Sequence, residues 1–302
     1  MQYRNGKLIF SPTDLIAFVE NEHVTWLDRY NLECPGELIR DEAAGDDAMI
    51  RSAGDAHERN YVAALASEGR DIVDLRDTPE AYYATLAAMR DGREVIYQAR
   101  LELGPFAGMA DFLIRVDGAS EFGSYQYEVW DTKLARGMKP YFAIQLCCYA
   151  EMLAAVQGVV PARVGIVLGS GARVPLRTDS YMAYYRAVKA DFLAQQATFD
   201  ATQPPEFDGL ADYRHWSGYV SRALEAADDL SRVANIRQSQ VAKLRAAGIH
   251  TVTQLAETEL ARIPRMADDV FSRLRDQASL QLRSAGRAEP LYEIVPPPAA
   301  SP

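Results

Sequence analysis

Apolar positions along this 302-residue chain follow first a helical period and then a strand period. Behind Ser11-Pro12-Thr13-Asp14, an N-cap serine with proline at the first helical position, Leu15, Phe18, Val19 and Trp26 make one face and predict a helix over 12–30. Residues 31–50, with Pro35-Gly36 and Gly45-Asp46-Asp47, read as a surface connection. From Ser52 a second helix places His57, Tyr61, Ala64 and Leu65 on one side, and Gly69 closes it. A strand-like IVDL (72–75) and a third helix (78–91) follow. The period then becomes two. EVIYQARLEL (94–103), FAGMADFLIRV (106–116) and YQYEVWDTKL (125–134) read as an antiparallel meander with Gly104-Pro105 and DGASEFGS as its turns. A helix (139–157), strands at 162–169 and VPLRT, and a long helix from Ser180 to Thr202 complete an α/β sandwich with a mixed sheet.

Pro204-Pro205 marks a boundary, and charge shows why the two sides differ. Residues 1–229 hold 22 Lys and Arg against 35 Asp and Glu, whereas 230–287 hold 10 against 5, inside a chain of net charge −10. The basic part therefore reads as a second functional unit. The expected organisation is a core over 1–205, a connecting helical segment over 206–229, a small all-α basic domain over 230–287, and a Pro/Ala-rich tail or linker over 288–302. With 48% hydrophobic residues the chain can bury a full core. It has neither the roughly 20-residue apolar run of a membrane span nor a signal-peptide pattern, so no membrane partner and a cytoplasmic location are expected. Cys34, Cys147 and Cys148 suit neither a disulfide framework nor a CxxC metal pair.

The meander carries the candidate chemistry. Asp111 interrupts an apolar strand, and Asp131 and Lys133, two apart on the next, share a face with Val129. Charges on an otherwise apolar strand are costly unless paired or metal-bound, and two hard carboxylates beside an ammonium suit Mg²⁺ chemistry on phosphodiesters. Glu58 reads as a solvent-facing charge next to His57. Gln145 and Tyr149 fall on one face of the following helix.

His57 in GDAHE, Asp111 in GMAD, Asp131 and Lys133 in DTK, and Gln145 and Tyr149 in QLCCY together resemble the RecB-like branch of the PD-(D/E)XK nuclease superfamily, including bacterial members joined to a helicase. The resemblance implies a restriction-endonuclease-like core and a metal-dependent DNA nuclease acting in repair, recombination or defence. It further implies Mg²⁺, with Mn²⁺ as substitute, held by His57, Asp111, Asp131 and the Thr132 carbonyl. Lys133 would orient the attacking water, and Gln145 and Tyr149 would hold the DNA strand or the site geometry. Ala110 stands where the motif's name has proline.

Many relatives bind an iron–sulfur cluster, but the corresponding stretches VENEHVTW and FDGLADYRHWSGYV contain no cysteine, so no cluster is expected. The C-terminal helices look like helix-hairpin-helix units, with Ala247-Gly248-Ile249 as the hairpin and Lys243, Arg245, Arg262, Arg265 and Arg273 as phosphate contacts. Ile263-Pro264-Arg265-Met266 lacks the glycines of such a turn, which argues against the same amide nest there. A catalytically silent DNA-binding subunit working beside a helicase is the alternative reading, and an RNA-directed nuclease a third. Strand preference, polarity, endo- or exonucleolytic action and oligomeric state are left open by the sequence.

Overall fold

A computed structural model describes residues 1–42, 45–289 and 291–293; the tail from 294 on lies outside these residues, as do 43–44 of the first connection. The chain opens with a hairpin that the sequence did not announce, β1 (Gln2–Arg4) and β2 (Lys7–Ile9). The helix expected over 12–30 is two, α1 (Pro12–Glu20) and α2 (Glu22–Glu33). Asn21 divides them: its backbone is extended (φ −161°) and its side chain accepts from His23 N at 3.0 Å, capping α2. Next come α3 (Gly45–Ser67), β3 (Ile72–Asp74), α4 (Ala81–Arg90), β4 (Val95–Leu103), β5 (Phe106–Ser120) and β6 (Gly123–Lys133). The segment DGASEFGS, expected as one long turn, mostly continues β5 and β6, leaving only Glu121 and Phe122 between the strands. The order ends with α5 (Pro140–Gln157), β7 (Arg163–Leu168), β8 (Arg173–Arg177) and α6 (Asp179–Ala197).

Strands β3 to β8 form one six-stranded sheet in sequence order. The meander β4–β5–β6 and the pair β7–β8 are antiparallel, while β3–β4 and β6–β7 are parallel, so this is an α/β fold with a mixed sheet. One face buries Ile96, Leu101, Leu113, Val129 and Ile166 against α5, α1 and α6. The other packs Val95, Tyr97, Phe112 and Val167 against Tyr61 and Leu65 of α3. Because α5 is buried along most of its length, the residues it presents to the sheet are held by packing on every side.

A second compact unit contains residues 205–293 together with the short segment Ile39–Asp41. Residues 206–229, the expected connecting helical segment, cluster with this unit. Asp41 is tied into it: its N–H donates to the His215 carbonyl at 2.9 Å, and its carboxylate accepts from Gly218 N at 2.8 Å at the start of α7 (Ser217–Ala226). Helices α8 (Gln238–Ala246), α9 (Val252–Glu257) and α10 (Asp268–Ser284) surround a core that includes Leu244, Ile249, Leu255, Phe271 and Leu274. Gly248, between α8 and α9, has φ +83°, and Arg265, ahead of α10, has φ +62°. The second turn thus has one residue, Arg265, in the left-handed region although it contains no glycine.

Candidate functional site

The antiparallel register of β5 and β6 runs as far as Phe112 opposite Trp130 and stops, although β5 reaches back to Phe106 and β6 goes on to Lys133. The first residues beyond the last rung are Asp111 and Asp131. At Trp130 to Lys133, β6 is paired along its other edge with β7. The edge facing β5 has no rung beyond Trp130, and the Asp111 carboxylate fills part of it: its Oδ2 accepts from Thr132 N at 2.8 Å and from Thr132 Oγ1 at 3.0 Å. Asp131 is 3% exposed, and its carboxylate is ion-paired with the Lys133 ammonium.

Electrostatics follow from this enclosure. Burial, with the Asp131 charge beside it, pushes Asp111 up to about 7 against the Thr132 hydrogen bonds and the Lys133 charge. Burial also raises Asp131, while Lys133 opposes the shift. Lys133 is disfavoured by burial, but Asp131, Asp111 and Glu58 outweigh that and hold its pKa above the ordinary value. Burial thus holds both aspartates above the ordinary carboxylate range, and the Asp131 charge adds to the shift of Asp111.

Helix α5 closes the site from the inner face. Tyr149 is buried, its hydroxyl donates to the Met109 carbonyl at 2.6 Å, and it is hydrogen-bonded to Gln145 one turn earlier. Burial, then the charges of Asp131 and Asp111, raise the phenol well above its ordinary pKa, so Tyr149 remains a neutral donor. Gly108 makes room for it: a Cβ there would meet the Tyr149 hydroxyl at 2.7 Å and Pro12 Cδ at 2.9 Å. Phe142, earlier on α5, lies under the Lys133 ammonium, 5.8 Å from nitrogen to ring centre. Asp111, Asp131, Thr132, Lys133, Gln145 and Tyr149 are therefore brought together.

His57 is not joined to the acids. Its Nε2 lies 3.2 Å from the Val167 carbonyl, and among the described residues it forms no metal-binding group with Asp111 and Asp131. Glu58, expected to face solvent, turns inward instead. It is half-buried, accepts hydrogen bonds from the Gln98 amide and the Tyr97 hydroxyl, and is raised by burial and by the Asp111 charge. Sequence reading missed both Glu58 and Gln98. For Glu58 the available signal was its position one residue from His57, since a helix rotation of 100° exchanges which neighbour faces the sheet.

Charge and donor type indicate whether a hard divalent cation suits these residues. Two carboxylates with Glu58 behind them face one ammonium, so the site lacks positive charge, and its donors are oxygens. Among the described residues no group of three or more His, Cys, Asp or Glu side chains could hold a metal alone. A cation here would rest on Asp111, Asp131, the Thr132 carbonyl and water, which is how Mg²⁺ is commonly held. In the second unit, Arg245 is ion-paired with Glu206 at 2.7 Å and Asp229 at 2.9 Å, and Arg273 with Asp269 at 3.2 Å. Lys243, Arg262 and Arg265 carry no ion pair among the described residues, and the two arginines are exposed.

No family model and no curated protein matches the chain. Among the described residues no helix is long and apolar enough to cross a membrane.

The Asp111 shift sets a pH signature. Between the ordinary carboxyl value near 4 and about 7, the folded metal-free chain keeps a proton that the unfolded chain releases, so this group increasingly destabilises the fold as pH rises through that window. Asp111→Asn should leave Tm nearly unchanged at about pH 4 and raise it progressively toward about pH 8. A thermal scan series in chelator in which the gain is flat with pH would show that Asp111 ionises freely.

Proposed function

We propose that this chain is a divalent-metal-dependent DNA nuclease with a restriction-endonuclease-like core of the RecB-like PD-(D/E)XK kind. The observation that carries the reading is the meeting of Asp111 and Asp131 where β5 and β6 part, with Lys133 on the same edge. A pair of mutually repelling acids in a low-dielectric site is an unfavourable arrangement for a fold alone and a favourable one for binding Mg²⁺ or Mn²⁺. When bound, the cation supplies Lewis-acid activation of water and charge for the pentavalent phosphoryl transition state.

The chain's own residues do the rest. Asp111 and Asp131 provide carboxylate oxygens, and Thr132 both orients Asp111 and offers its carbonyl. The Lys133 ammonium, beside Asp131 in the metal-free chain, would hold the attacking water or a phosphate oxygen. Tyr149 and Gln145 keep β5 at its distance from α5. His57 becomes available as a nitrogen ligand if its Nε2 leaves Val167, which would favour Mn²⁺. In the second unit Lys243, Arg262, Arg265 and the Gly248 turn supply phosphate contacts in the manner of helix-hairpin-helix units. Arg245 and Arg273, already ion-paired, contribute less.

Purified protein with Mg²⁺ or Mn²⁺ should cut DNA, and Asp131→Ala or Lys133→Ala should each lower the rate more than about 100-fold. Protein that binds single- or double-stranded DNA but cuts neither would refute the nuclease reading in favour of a silent binding subunit; faster cleavage of RNA would redirect its substrate. Replacing Lys243, Arg262 and Arg265 together with Ala should weaken DNA binding and flatten the log–log salt dependence by about 2–3 in slope. An unchanged slope would remove these residues from the interface.

A further inference from the structure

Strand β4 carries an anomaly opposite Asp111. Its register with β5 pairs Tyr97 with Phe112 and Ala99 with Ala110, but the rung between them, Gln98 opposite Asp111, is missing. Gln98 has φ +56°, a left-handed backbone in the middle of a nine-residue strand, and it is not glycine. Such a conformation is strained for this residue and persists only where its surroundings enforce it.

The consequence is a change of face. Val95 and Tyr97 pack with α3, whereas Ala99 and Leu101, which should follow them by alternation, pack on the α5 side with Ile96. Strand β5 makes the same reversal in step: Phe112 and Ile114 lie on the α3 side, Ala110 on the α5 side. Both strands cross from one face to the other at Gln98 and Asp111. The Gln98 side chain leaves this crossing toward α3, where its Nε2 donates to Glu58 Oε1, and Tyr97 supplies the second hydrogen bond to that carboxylate.

We propose that Gln98 is a positioning residue: its left-handed backbone reverses β4 in register with Asp111, and its amide holds Glu58 against the Asp111–Asp131 pair. The inference rests on the metal-nuclease reading and deepens it, assigning part of the site's negative field to a third acid kept in place by a strained neighbour. Without the amide, Glu58 can rotate out toward solvent and the field on the cation falls. Strain that exists to position a side chain is also strain that glycine relieves.

Three variants separate this role from ordinary strand packing: Gln98→Gly, Gln98→Ala and, as control, Asp131→Asn, each measured by Mn²⁺ calorimetry and by Tm in chelator. Gln98→Gly should raise Tm by about 2–4 °C, and both Gln98 variants should weaken Mn²⁺ binding about 10- to 100-fold and lower kcat while leaving DNA KM in place. A residue that serves only the strand gives the reverse, a lower Tm in Gln98→Gly with Mn²⁺ affinity kept. Affinity within twofold of the parent in both Gln98 variants, alongside loss of binding in Asp131→Asn, overturns the positioning role and spares the nuclease reading. Unaltered Mn²⁺ binding in Asp131→Asn overturns both.

Discussion

Two carboxyl groups with one ammonium, enclosed where a sheet divides, set the conditions that the rest of the core satisfies. Placed in water, Asp111 and Asp131 would ionise independently and drift apart; here burial raises both, the Asp131 charge raises Asp111 further, and Lys133 and the Thr132 donors oppose the shifts and hold the pair. Such a pair needs rigid supports on each side, because a small outward movement would let water relax it. The parallel pairing of β6 with β7 supplies one support and the buried helix α5 the other.

The supports extend outward through specific fits. Tyr149 reaches the Met109 carbonyl only because Gly108 presents no Cβ, so the helix that closes the inner face is keyed to the strand carrying Asp111. On the outer face, Glu58 is fastened by Gln98 and Tyr97, and the Tyr97 ring stacks with Phe112 at 5.1 Å between centroids. Negative charge is thus gathered from α3 and from the consecutive strands β5 and β6. The cysteines of α5 take no part in this chemistry: burial pushes Cys147 and Cys148 up to about 12, leaving both as inert thiols.

Much of this was legible in the amino-acid sequence, and the failures have local causes. The meander, the crossover helix and the mixed sheet follow from periods of two and 3.6 and from β-branched and aromatic runs, which burial enforces strongly. The break at Asn21 was hidden because the apolar face runs across it, while the cap is a single polar side chain. The reversal at Gln98 was less visible still. Positions 95, 97, 99, 101 and 103 are all apolar or small, so the pattern implies one continuous face, and nothing in the letters indicates that a left-handed residue divides it. The same blindness assigned Glu58 to solvent. In the second unit Arg265 takes a left-handed backbone without glycine, between the buried Ile263 and Met266.

The central claim is that the parted strands form a cation site, and anomalous scattering tests it most directly. Crystals of the protein soaked in Mn²⁺ should show an anomalous peak within coordination distance of carboxylate oxygens of both Asp111 and Asp131, absent in Asp131→Asn. Well-ordered crystals with Mn²⁺ bound elsewhere on the protein and none between these two aspartates would contradict the account.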